Sequence, residues 1–124
     1  MPRTNKEGKN TRKAMVSPSS IQIAWAAGFY EGEGNCCTQK SKNGGSQIVR
    51  IGQIHQESLM LMQHLFGGTI TMTTRSLRVG CKPVYTWRIC SQRARGFLMT
   101  IYKFLTPYRR DQVRQCLTIH KEAR

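Results

Sequence analysis

Residues 21–34 read Ile21-Gln22-Ile23-Ala24-Trp25-Ala26-Ala27-Gly28-Phe29-Tyr30-Glu31-Gly32-Glu33-Gly34, and the rest of the chain is organised around them. From Ile23 to Tyr30 no side chain is charged or strongly polar, so a helix here is apolar all round and must be covered on more than one side. Ala24, Gly28 and Gly32 recur one helical turn apart and make a smooth strip that a second helix backbone can approach closely. A membrane span is excluded, because the apolar run falls well short of the ~20 residues a bilayer requires.

The strip ends in Glu31-Gly32-Glu33-Gly34, two carboxylates at the C-terminal end of the helix. The helix dipole disfavours acids there by roughly 0.3–1 kcal/mol each, so stability alone does not select them. The chain has six acidic residues, at positions 7, 31, 33, 57, 111 and 122, and two of them fall in this one turn. Carboxylates are hard oxygen ligands suited to Mg²⁺, which takes one or two of them and fills its other positions with water and phosphate. An isolated Glu-Gly-Glu is more simply a pair of solvated acids; the apolar, glycine-striped helix leading into this one shifts the balance towards a cation.

At 124 residues the chain is long enough for one domain, and 39% hydrophobic content supports a packed core. Twenty Lys and Arg against six acids leave a net charge of +14, which implies a polyanionic partner. No secretory signal or membrane span is evident and no small-molecule substrate is indicated. Cys36, Cys37, Cys81, Cys90 and Cys116 contain no Cys-x-x-Cys pair or matching His spacing, so neither a disulfide framework nor a zinc site is expected. An intracellular, reducing compartment is the simpler expectation. His55, His64 and His120 form no ligand pair and receive no catalytic role.

Residues 1–16 are basic and nearly devoid of apolar side chains, which predicts a flexible arm whose role is solubility or phosphate contact; 17–124 form the single domain. Ser17 is the expected N-cap of the first helix, with Pro18 at its first position. Strands are predicted over 35–40 and 47–53, joined across 41–46 by an Asn-Gly turn. A helix over 56–66 stops at Gly67-Gly68. Two further strands over 69–75 and 83–90, a helix over 91–105 and a last helix over 108–122 complete the chain. The fold class is α+β.

The nine residues Ala26-Ala27-Gly28-Phe29-Tyr30-Glu31-Gly32-Glu33-Gly34 resemble the signature of the LAGLIDADG homing endonucleases, many of them intron-encoded. Both acidic positions and both glycines flanking the second acid are filled, each acid being Glu where the family name has Asp. The likeness continues through Gln53, Leu59 and Leu65, Phe66-Gly67-Gly68-Thr69-Ile70, Trp87-Arg88-Ile89, Ala94, Phe97-Leu98, Arg109, Gln112-Val113 and Leu117. The resemblance implies an αββαββα half with a curved antiparallel four-stranded DNA-binding sheet. It implies a homodimer packed through Ala24, Gly28 and Gly32, and cleavage of both strands of a long pseudo-palindromic DNA target.

By the same resemblance, Glu33 and the Gly32 carbonyl bind Mg²⁺ or a substitute such as Mn²⁺, Gln53 lies near the attacking water, and Glu31 is a helper or structural acid. The basic helper, usually Lys, corresponds best to Arg109, although spacing alone also allows Tyr108 or Arg110. Gln39, Arg50, Thr71, Thr73, Arg75 and Arg88 fall on the expected double-stranded DNA face, with Lys40, Lys42, Asn43 and Arg78 in the loops at its margin. Cys37 and Ile48 share that face, where an apolar contact to a thymine methyl is their only evident use. For any one of these residues a solvated strand face is an equally good explanation; collected on one face of a +14 chain they favour DNA. The alternative is a cleavage-deficient, maturase-like or regulatory nucleic-acid binder of the same fold, and a ribosomal-type RNA-binding protein would explain size and charge but not the glycine-striped helix.

Overall fold

The computed structural model describes residues 11–41, 44–73 and 83–122. Its element order is α1 (Ser20–Glu33), β1 (Gly34–Ser41), β2 (Gly44–Gln53), α2 (Glu57–Phe66), β3 (Thr69–Thr73), β4 (Val84–Cys90), α3 (Ser91–Ile101), a 3₁₀ turn (Tyr102–Phe104) and α4 (Pro107–Glu122). The chain is α+β: the strands form one antiparallel four-stranded sheet in the order β1-β2-β4-β3, accompanied by four α-helices.

Helix α1 starts two residues later than the sequence predicts. Ser19, not Ser17, is the N-cap: its hydroxyl accepts from the Gln22 amide at 3.2 Å, and the Gln22 side chain accepts from the Ser19 amide at 2.8 Å. This reciprocal box satisfies two otherwise orphaned donors, which Ser17 could not do without a matching side chain three residues on. The predicted loop 41–46 also contracts. Pairing continues to Ser41 opposite Gly44, because the Gly-Gly-Ser stretch accepts extended backbone and gains ladder hydrogen bonds by doing so. The helix expected over 91–105 ends at Ile101 and tightens into the 3₁₀ turn. Pro107 pushes its predecessor out of the helical region, and Leu105 is already extended (φ −89°, ψ 157°).

Strand alternation divides the sheet. Val49, Ile51, Trp87 and Ile89 point to one face and are buried beneath Ala26, Ala27 and Tyr30 of α1, Leu59 and Met62 of α2, Ala94, Phe97, Leu98 and Ile101 of α3, and Val113 and Cys116 of α4. Phe97 is the hub, with edge contacts to Phe66 at 4.9 Å, Trp87 at 5.4 Å and Tyr30 at 6.0 Å. Each such side chain contributes about 1.5–3 kcal/mol by leaving water.

The turn after α2 requires glycine. Gly67 and Gly68 have φ of 77° and 106°, and a Cβ on Gly68 would sit 2.6 Å from Ile89 and 2.8 Å from the Arg88 carbonyl. The last residues of the expected arm are held against this corner. Arg12 and Gly68 exchange backbone hydrogen bonds of 2.9 and 2.8 Å, and the Met15 amide donates to the His64 carbonyl at 2.8 Å. Residues 1–10 lie outside the described region. Among the described residues no helix is long and apolar enough to cross a membrane.

Candidate active site

Helix α1 presents two unlike faces. Ala26, Ala27 and Tyr30 are buried, whereas Ala24, Gly28 and Gly32 are exposed, beside Ile21 at 82% exposure and Trp25 at 37%. A Cβ added to Gly28 or Gly32 would meet nothing within 4 Å. The sequence expectation that this helix needs cover on more than one side is thus half met within the chain, and the small-residue strip is left exposed.

The two acids at the end of the helix part company. Glu31 is tied down: its Oε1 accepts from the Thr106 amide at 3.0 Å and its Oε2 from the Thr106 hydroxyl at 2.8 Å. Thr106 immediately precedes α4, so this carboxylate satisfies a donor at the α4 start and faces the positive end of that helix dipole. Glu33, two residues on, is exposed, and its carboxylate has no hydrogen-bond or ion-pair partner among the described residues. One acid is engaged within the chain, and the other has no partner among the described residues.

Arg109, one turn into α4, is drawn to the same place. Its Nε donates to the Glu31 carbonyl at 3.1 Å, its Nη1 donates to Gln112 Oε1 at 2.9 Å, and its guanidinium lies 5.4 Å over the Tyr30 ring. Arg110 is turned the other way, donating to the Lys103 carbonyl at 3.0 Å and stacking on Tyr102 at 5.7 Å. Tyr108 is largely exposed and accepts from Gln112 Nε2 at 3.4 Å. Of the three residues that spacing allowed, only Arg109 contacts the turn bearing the acids.

Gln53 ends β2, two residues beyond Ile51, which pairs with Gly34. It therefore stands ~7 Å along the strand from the point where Glu33 hands over to β1. Glu31, Gly32, Glu33, Gln53 and Arg109 thus collect at one end of the sheet.

Behind them lies a set of groups that the sequence reading left without a role. Cys36 donates to the Gln112 carbonyl at 3.9 Å, and Cys116 donates to the Cys37 carbonyl at 3.3 Å. The Cys36 thiol is pulled below the ordinary range, to about 6, chiefly by hydrogen bonding from Cys116, then by Tyr30 and the Arg109 charge, against a burial cost. Cys116 is pushed up, first by its hydrogen bond to Cys36 and then by burial. The Tyr30 phenol is raised by burial and by Cys36.

On the opposite, exposed face of the sheet, the register aligns Asn35, Arg50, Arg88 and Thr69 in one row; Gly52, Thr86 and Thr71 in the next; and Val84 with Thr73 beyond. Gln39 is exposed on this face opposite Ser46, and Lys40 is paired with Gly45 within β1 rather than in the loop. Lys42, Asn43, Arg75 and Arg78 lie outside the described residues. Ile48 must be removed from the list of surface contacts. It is 2% exposed in a row with Cys37 and Cys90, and has no surface to offer a thymine methyl. Asn35, Thr69 and Thr86 were missed; strand alternation carried through the pairing register is the signal that would have found them.

Comparison with family models and with curated proteins gives no match. The residues and their geometry alone carry the functional reading.

Proposed function

We propose that this chain is one subunit of a homodimeric, single-motif LAGLIDADG-type DNA endonuclease. The αββαββα order fits such a half, extended by α4. The observation that carries the reading is α1 itself: a helix buried on one side, bare along Ala24, Gly28 and Gly32 on the other, and ending in a free carboxylate beside a tethered one. A bare apolar strip of that kind fits a second copy related by a two-fold axis, which brings two Glu33 side chains together.

Among the described residues no three His, Cys, Asp or Glu side chains form a cage within one chain. A lone unpartnered carboxylate fits Mg²⁺ bound by one protein carboxylate per subunit with water and phosphate completing its shell. Glu33 and the Gly32 carbonyl would hold the cation, which would polarise a phosphate and lower the pKa of water. Gln53 would orient the nucleophile by hydrogen bonding. Arg109, with Nε and Nη1 engaged, keeps Nη2 to stabilise charge on the phosphate. The exposed face bearing Gln39, Arg50, Arg88, Thr71 and Thr73 would enter a major groove, where Arg and Gln can pair bidentately with base edges.

The test is Glu33→Gln. Duplexes selected from a randomised library should be cut by the native chain with Mg²⁺, whereas the variant should bind the same duplexes without cutting them. Cleavage undiminished in the variant rules out the assignment; binding without cleavage by the native chain favours the cleavage-deficient binder.

A further inference from the structure

The exposed face of the sheet does not end at β3. Next to Thr69, outside the four strands, the Thr11 hydroxyl lies 2.6 Å from the Thr69 hydroxyl, and the Arg12–Gly68 bridge aligns the two backbones antiparallel. Thr69 stands opposite Arg88, and Arg88 opposite Arg50, so Thr11 extends the polar row that crosses the sheet to Asn35. Arg12 and Lys13 are exposed at this edge. The residues that precede them carry Arg3, Lys6 and Lys9 against the single acid Glu7. A solubility tail needs no such anchor: two backbone hydrogen bonds and a hydroxyl pair fix where the basic segment joins the fold.

We propose that residues 11–13 form a second nucleic-acid contact, an outer rail that sets Lys13, two residues from Thr11 and on the same side by strand alternation, on the phosphate backbone beside the groove that the sheet enters. The division of labour is physical. Arg50 and Arg88, in mid-sheet, sit where base edges can be read, whereas cations at the sheet margin meet the sugar-phosphate wall and add affinity without sequence information. The partner is duplex DNA, since a rigid sheet with a rail at its edge matches a groove flanked by a regular phosphate strand. This inference rests on the DNA-reading proposal above.

The experiment compares the full chain with Lys13→Gln, which leaves the backbone bridge between Arg12 and Gly68 available. Duplex affinity is measured by fluorescence anisotropy from 50 to 300 mM salt, and circular dichroism verifies folding. Each lost phosphate contact removes ~0.9 from the slope of log affinity against log salt, so the variant should be shallower by about 1 and bind roughly fivefold more weakly near 0.15 M. Base preference should stay unchanged. Removal of residues 2–10 is a second, independent variant and should lower affinity in the same sequence-neutral way. An unchanged slope in the Gln variant overturns the rail. A rail-dependent slope in a chain that never cleaves upholds the rail and overturns the endonuclease; cleavage with an unchanged slope does the reverse. Absence of duplex binding by the intact chain overturns both.

Discussion

The Glu31 carboxylate receives both the backbone amide and the hydroxyl of Thr106, 75 positions away, at 3.0 and 2.8 Å. This joins the C-terminal turn of α1 to the start of α4 and so places Arg109 against the motif. Thr106→Ala removes one of the two bonds and should cost about 1 kcal/mol in urea unfolding at fixed protein concentration. Glu31→Gln should cost a similar amount. The double variant should lose less than the sum of the singles, because both changes break one contact. Strict additivity would mean that Glu31 and Thr106 are not energetically coupled.

The two glycines flanking Glu33 should respond oppositely. A Cβ on Gly34 would lie 2.2 Å from the Tyr30 ring, so Gly34→Ala should destabilise the fold by about 1–3 kcal/mol through overpacking. Gly32→Ala meets nothing within 4 Å in the single chain and should leave its unfolding transition unchanged or slightly raised. Thermal melts of the two variants check the contrast.

The proposed dimerisation can be tested separately from folding at Gly28. A Cβ there meets nothing within 4 Å in the single chain, and a mid-helix glycine costs roughly 0.5–1 kcal/mol relative to Ala, so its replacement should not harm the helix. Gly28→Leu should therefore yield a folded monomer in sedimentation velocity where the native chain, on the proposed two-fold assembly, should sediment as a dimer. A native monomer that cleaves DNA would refute the two-fold assembly.

The Cys36–Cys116 pair predicts a stability maximum in pH. A thiol ordinarily titrates near 8.5. Cys36 is depressed to about 6 in the fold and Cys116 is raised, so between these values the unfolded chain holds more protons than the folded one and stability rises with pH. Above the ordinary thiol value the unfolded chain has released both protons while folded Cys116 retains its own, and stability falls. Melting temperature against pH should peak near 8–9 and the peak should flatten in Cys36→Ser/Cys116→Ser.

On the proposed DNA reading, target length follows from the sheet. Strand β2 has 10 residues, a span of roughly 33 Å at ~3.3 Å per residue. Duplex DNA advances ~3.4 Å per base pair, so two subunits cover about twenty. Footprinting should reveal a pseudo-palindrome of that length cut near its centre. A short asymmetric footprint would contradict the symmetry.

Residues 21–34 declared much of this by themselves. Apolar side chains on every face require cover, Gly28 and Gly32 one turn apart leave a smooth strip, and two acids at the wrong end of a helix demand a use; each follows from local spacing. Strand alternation likewise separated Val49 and Ile51 from Arg50. What sequence could not assign were relationships set by distant packing. Glu31 and Glu33 are the same residue type, and only the arrival of Thr106 makes one structural. Spacing could not choose among Tyr108, Arg109 and Arg110, since a helix rotates its side chains by ~100° per residue and its orientation is fixed by what it packs on. Ile48 alternates onto the polar face yet is buried, and Thr11 joins that face through an anchor 58 positions away. Periodicity fixes which side chains share a face of an element; only the assembled fold decides what covers that face.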